Sequence, residues 1–184
     1  MKLRPTSTQA QTSVNLAFDI ETDGIDSTQI HCVVTQDLNT GLVTEYNDQP
    51  APNYSVVNAV NELEIADNII SHNGIMFDVP EIKKHFPFWE GKAKHWDTLI
   101  LSRFFHPNLL DIDLRRKWHK MPARLYGSHS LEAYGYRLQC YKDDFGKTTD
   151  WTDWSQEMQD YCRQDVAILT KLWTHFQKSL KALS

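Results

Sequence analysis

The run AFDIETDG, residues 17–24, opens like a buried β-strand and carries two acids, Asp19 and Glu21, two positions apart. Successive strand side chains point to opposite faces, so these carboxylates share one face while Phe18 and Ile20 share the other. Like charges side by side repel, and an ionised carboxylate taken out of water without a partner is rarely tolerated. Any fold that buries this strand must therefore bring positive charge to the face of Asp19 and Glu21. Nothing in the adjacent sequence supplies it.

Three short stretches rich in β-branched and aromatic residues, 15–20 (NLAFDI), 30–36 (IHCVVTQ) and 42–46 (LVTEY), are separated by turn formers and read as an antiparallel meander. The period then changes. Val56, Val57, Val60, Leu63 and Ile65 fall near helical spacing, and the apolar run NIIS at 68–71 follows as a fourth strand. A helix between two strands favours a parallel crossover. From Asp78 onward helical signals dominate. Asp78-Val79-Pro80-Glu81 is patterned as an N-cap with its capping-box acid, and Asp97 stands before TLILSRFF, with a fifth strand fitting around residues 94–96. The clearest helix is the last, where Met158, Tyr161, Cys162, Val166, Leu169, Leu172, Trp173, Phe176 and Leu180 form one stripe behind a cap at Ser155 or Asp153. Strands first and helices afterwards predict an α/β fold, a mixed five-stranded sheet with an antiparallel meander plus parallel strands, flanked by helices.

A chain of 184 residues, 41% hydrophobic, is long enough for one core, so a single domain over 14–184 is expected behind a flexible arm, residues 1–13. The arm has no signal-peptide stretch, and no later segment approaches the roughly 20 apolar residues of a spanning helix. A soluble, cytoplasmic monomer without a membrane partner is expected. Cys32, Cys140 and Cys162 are scattered, with no spacing that fits a disulfide framework or a zinc site. The net charge of −5 argues against binding nucleic acid by overall charge, but a cluster of metal-binding acids would itself lower that total.

Asp165 falls within the last stripe, four residues after Tyr161, so both project from one helical face. Taken singly, the notable residues have plain readings: Asp165 at the stripe's edge bridging to an arginine, Tyr161 as core, Asp78 as a helix cap, Asp19 as a strand-end turn residue. The plain readings leave the order unexplained: D-x-E on a first strand, HNGIMFD before a helix, YxxxD on a late helix. In order and internal spacing these segments resemble the three motifs of the DEDDy 3′-5′ exonucleases, in the RNase H-like superfamily. HWDTLILSRFFHPN, GSHSLEAYGYRL and YKDDF are further similar to the proofreading domain of T-seven-type phage family A DNA polymerases, over roughly residues 15–180. Such polymerases continue into a far larger domain, so no polymerase activity is expected of 184 residues.

The resemblance implies a two-metal phosphodiester hydrolase, removing nucleoside 5′-monophosphates from the 3′ end of single-stranded DNA. A pair of divalent ions can activate a water, relieve charge on the phosphate and stabilise the departing oxygen, and hard oxygen ligands suit magnesium or manganese. By that resemblance Asp19, Glu21 and Asp165 hold the ion bearing the nucleophile, Asp19 bridges to the second, and Asp78 reaches the second largely through water. Tyr161 orients the attacking water. The superfamily's histidine variant places that residue five before the last acid, where this chain has Asp160, so only the tyrosine type fits. The resemblance also implies that Thr22 (by its backbone amide) and Glu21 meet the terminal 3′-hydroxyl, that Ile25 packs on the last base and that Asn73 contacts the strand.

Local positive charge gathers in LRRKWHKMPAR, residues 114–124, where Arg115, Arg116, Lys117, Lys120 and Arg124 surround Trp118. These groups fit phosphates and an unpaired base, although the same pattern suits a solvated face whose tryptophan packs inward. Two other readings share the acids: an RNA 3′ trimming enzyme of the RNase D kind, and an accessory proofreading module that depends on a DNA polymerase partner.

Overall fold

The computed structural model describes residues 13–50, 54–140 and 150–183. The expected arm, apart from Ser13, and the YKDDF stretch lie outside the described residues. Strand β1 (Asn15–Thr22) is the middle of a five-stranded sheet ordered β3-β2-β1-β4-β5. β2 (Ile30–Asp37) and β3 (Val43–Asn47) complete the antiparallel meander, while β4 (Asn68–Ser71) and β5 (Lys94–Asp97) run parallel to β1. The β1–β4 crossover carries helix α1 (Val56–Ile65), whose N-cap Ser55 forms a capping box with Asn58.

The two faces of β1 pack differently. Leu16, Phe18 and Ile20 join Val56, Val60 and Leu63 of α1 and Ile82 of α2 (Asp78–His85) in one core. Ala17 belongs to the opposite core, built on α6 (Gln156–Lys181) through Cys162, Val166, Leu169 and Phe176. Alternation along the strand therefore sends Asp19 and Glu21 toward α6. The helix begins as the sequence predicts: Ser155 caps it by accepting from the Met158 N–H at 3.1 Å. Helices α3 (Thr98–Phe105), α4 (Leu109–Arg116) and α5 (Leu131–Arg137) complete that side of the sheet.

One predicted helix start is different. α2 begins at Asp78 itself; Phe77 is its N-cap and supplies no side-chain cap. The capping box fails there because the helix already runs through Asp78: the Glu81 N–H donates to the Phe77 carbonyl at 3.0 Å and the Glu81 carboxylate accepts from Ser27, while the loop ahead is tied by Asn73 and Ile75 donating to Asp97. Asp78 is thereby spared for another use, and its carboxylate is buried.

Buried charge also fixes the helical side. Arg137 of α5 donates to both oxygens of Asp113 in α4, at 3.0 and 2.6 Å, and Asp113 further accepts from the Trp118 indole (2.7 Å) and the Gly127 N–H (2.8 Å). Burial pushes the Asp113 carboxyl up, but the hydrogen bonds from Arg137, Gly127 and Trp118 outweigh it and hold the group below its ordinary value. Among the described residues no helix is long and apolar enough to cross a membrane.

Phe176 is fully buried and stacks on Phe105 at 5.9 Å between centroids, with the Tyr134 ring edge-on at 6.3 Å. Phe176→Ala should cost about 3–5 kcal/mol, read as a lower midpoint in urea denaturation with the slope unchanged.

Candidate active site

β4 pairs with β1 only over Asn15–Ala17, so the half of β1 that carries Asp19 and Glu21 runs on past the end of its neighbour. That step leaves the β1 edge beyond Ala17 unpaired by β4. On one side lies α6, where the Cys162 thiol donates to the Asp19 backbone oxygen at 3.4 Å. Ligand atoms of Asp19, Glu21 and Cys162 all lie within 4.8 Å of one another. Tyr161 precedes Cys162, and the buried Asp165 follows one turn after Tyr161, so one docked helix delivers both to the strand.

On the other side the chain leaves β4 at Ser71 and turns through His72–Phe77. Asn73 adopts a left-handed backbone, with φ of 66°. At Gly74 a Cβ would come 2.0 Å from the Ser71 Oγ and 3.1 Å from the Asp78 Oδ2, so only glycine fits. The loop ends with the Asp78 carboxylate turned to β1, where the Ile20 N–H and its own N–H favour the charged form. Burial opposes them and, with the charges of Asp97 and Asp165, pushes the Asp78 pKa up to about 7. Asp78 thus lies in the field of Asp165 and against the strand bearing Asp19 and Glu21. Four acids from three distant segments converge.

The residues around the acids are held from several elements. Trp151 meets the Tyr161 ring edge-on at 6.0 Å, and its backbone oxygen is 3.0 Å from the Nε2 of His31 in β2. Thr22 is buried beside a bulge in β1 and donates to the Gly24 carbonyl at 2.9 Å. Ile25 is 92% exposed in the β1–β2 connection. The last turns of α2 tether that connection: Ser27 donates to Glu81 and lies 2.7 Å from the His85 Nε2, while Lys84 donates to the Ser27 carbonyl at 2.6 Å.

The basic set groups elsewhere. Arg115 and Arg116 end α4, and Lys117 and Lys120, both in left-handed backbone, follow it. Trp118 points into a small cluster with Met121, Leu125 and Ala133, under the Arg116 guanidinium at 5.2 Å.

The donor set fits hard divalent cations. Asp19, Glu21, Asp78 and Asp165 offer only carboxylate oxygens. The one soft atom, the Cys162 sulfur, stays protonated, since burial raises its pKa well above the ordinary value and Cys32, Asp19 and Glu21 add to the rise.

A family model described as the RNase H superfamily matches residues 16–177. The chain belongs to that superfamily. It is 34% identical over 183 residues to the DNA-directed DNA polymerase of Escherichia phage T7, and 33% identical over 182 residues to that of Enterobacteria phage T3. Each match covers 85% of this chain and 26% of the relative, so the chain spans about a quarter of the curated relatives it matches. Among solved structures, the apo form of a nuclease superposes with a TM-score of 0.58 at 19% identity, covering 91% of this chain and 75% of that one. A family B DNA polymerase from Pyrobaculum calidifontis superposes at 0.60 with 15% identity, covering 91% of this chain and 25% of that one.

Within this RNase H-like fold the sequence reading missed three residues beside the acids. Trp151 stands next to a segment with no periodic signal, and Cys162 reads as one more apolar position of the stripe. Gly74 alone had a local cue, as the only glycine between a strand and a helix in HNGIMFD.

Gly74→Ala should displace Asp78 or the Ser71 side chain. The expected result is a loss of thermal stability together with weaker binding of manganese, measured by calorimetry. Between the ordinary carboxylate value of 3.8 and about 7, folded Asp78 keeps a proton that the unfolded chain has released. In chelator, Asp78 should therefore lower stability progressively as pH rises through that window. The melting temperature of wild type relative to Asp78→Asn should fall from pH 4 to 7 and level off above.

Proposed function

We propose that this chain is a divalent-metal-dependent 3′-5′ exonuclease that shortens single-stranded DNA. The observation carrying this reading is the convergence of Asp19, Glu21, Asp78 and Asp165 from β1, α2 and α6, with Tyr161 one turn before Asp165. The two phage relatives are DNA polymerases, which favours DNA over RNA as substrate. The fold neighbour described as a nuclease supports hydrolysis.

Magnesium or manganese at the acids would supply relief of phosphate charge and acidification of a water. Asp19, Glu21 and Asp165 would hold one ion, with Asp19 shared and Asp78 serving the second. The Tyr161 hydroxyl, steadied by Trp151, orients the incoming water. The Thr22 backbone amide and Glu21 meet the terminal 3′-hydroxyl. Exposed Ile25 lies against the last base, and Asn73 contacts the strand. Arg115, Arg116, Lys117 and Lys120 attract phosphates further along it, with Trp118 shaping the base of that patch.

The test uses 5′-end-labelled single-stranded DNA and a matched RNA with magnesium or manganese. Stepwise loss of nucleotides from the 3′ end of the DNA is expected, abolished by chelator and reduced at least about a thousandfold by Asp19→Ala, since metal-borne charge stabilisation is worth several kcal/mol. Binding of DNA without cleavage would replace this reading with that of an accessory module. Faster trimming of the RNA would replace DNA with RNA as the substrate.

A further inference from the structure

Asp97 takes no part in the chemistry above, yet it is only 5% exposed. Its Oδ1 accepts from the Leu99 N–H at 2.9 Å, an ordinary helix cap for α3. The remaining contacts are not those of a cap. Oδ1 also accepts from the Asn73 N–H at 3.0 Å and Oδ2 from the Ile75 N–H at 3.2 Å, reaching back 24 and 22 residues to the loop between β4 and α2. Thr98 extends the contact, donating to the Ser71 carbonyl at 3.0 Å, with its Oγ1 2.9 Å from the His72 Nδ1. Ser71, His72, Asn73 and Ile75 are thus bonded in turn from two adjacent residues of β5 and α3.

The contact needs an acceptor at both oxygens. A carboxylate presents acceptors on both oxygens, whereas an amide offers one acceptor oxygen and turns N–H groups toward the other donor. An asparagine that caps α3 with its oxygen in the Oδ1 place keeps the Asn73 N–H as well, but turns its own N–H groups toward the Ile75 N–H. The placement is also electrostatically adverse, since Asp97 adds negative charge beside Asp78. A residue that served only the cap would not need this second carboxylate at the cleft.

We propose that Asp97 is the positioning residue of the active site: it clamps the loop that presents Asn73 and aims Asp78 at β1, without touching substrate or metal. This rests on the divalent-metal nuclease reading.

The test compares wild type, Asp97→Asn, Asp78→Asn and Ser130→Ala, the last removing the α5 cap as a control for general loss of stability. Manganese binding is measured by calorimetry, and hydrolysis of single-stranded DNA is measured across manganese concentrations. Asp97→Asn should bind manganese about 10–100-fold more weakly, the usual effect of losing an outer partner of a ligand. Its kcat should fall with KM within about twofold of wild type, and excess manganese should restore most of the rate. Asp78→Asn should not recover, and Ser130→Ala should lose melting temperature without losing manganese affinity. Unchanged manganese affinity in Asp97→Asn overturns the clamp, as does a loss matched by Ser130→Ala at equal melting temperature. Wild type that binds manganese but leaves DNA intact would defeat the nuclease reading alone, because the affinity comparison still decides the clamp. Wild type that binds no manganese would defeat both.

Discussion

Mutual repulsion among buried and half-buried carboxylates is the constraint around which this molecule is arranged. Asp19 and Glu21 share a strand face, Asp165 approaches from α6, and Asp78 is pressed by both Asp97 and Asp165. Such an arrangement is unfavourable as it stands, so rigid packing must enforce it. Fully buried Phe18 and Leu63 anchor one side of β1, while Val166, Leu169 and Phe176 anchor the other. The acids cannot drift apart without opening one of those cores. Under the proposed function, divalent cations would convert the same repulsion into affinity, because ligands already held together need no further gathering.

The device that exposes the site is a mismatch in strand length. β4 has four residues against eight in β1, and the pairing stops at Ala17. Beyond that point the β1 edge is available to the Asp78 side chain instead of a neighbouring strand. A longer β4 would have occupied the same edge with backbone and left no place for the acid. The loop that follows therefore has to turn sharply at once, which is why Asn73 is left-handed and Gly74 has no room for a side chain.

Much of this was legible in the sequence, for a physical reason. Alternation along β1 fixed which face Asp19 and Glu21 occupy, and helical spacing placed Tyr161 and Asp165 on one face of α6. The strands NIIS and residues 94–97 followed from short apolar or aromatic runs between helical patterns. Contacts between distant segments were less legible. Asp78 looked like a cap because its local pattern is that of a capping box; the Glu81 carboxylate that would close the box is taken by Ser27, 54 residues away, which no local pattern encodes. The Asp113–Arg137 pair likewise joins two helices 24 residues apart and carries no periodic signature. Trp118 suits a stacking residue by its basic neighbours, but its indole N–H donates to buried Asp113 and its ring packs beneath Arg116, contacts that no local pattern encodes.

Helix α2 has a double attachment. Its first residue is Asp78, while Glu81, Lys84 and His85 grip Ser27 in the connection that carries Ile25. The eight-residue helix therefore behaves as a short rigid rod with the Asp78 carboxylate at one end and the connection carrying Ile25 at the other. Any tilt of the rod shifts both together, so the width of the opening and the reach of the carboxylate are a single mechanical variable.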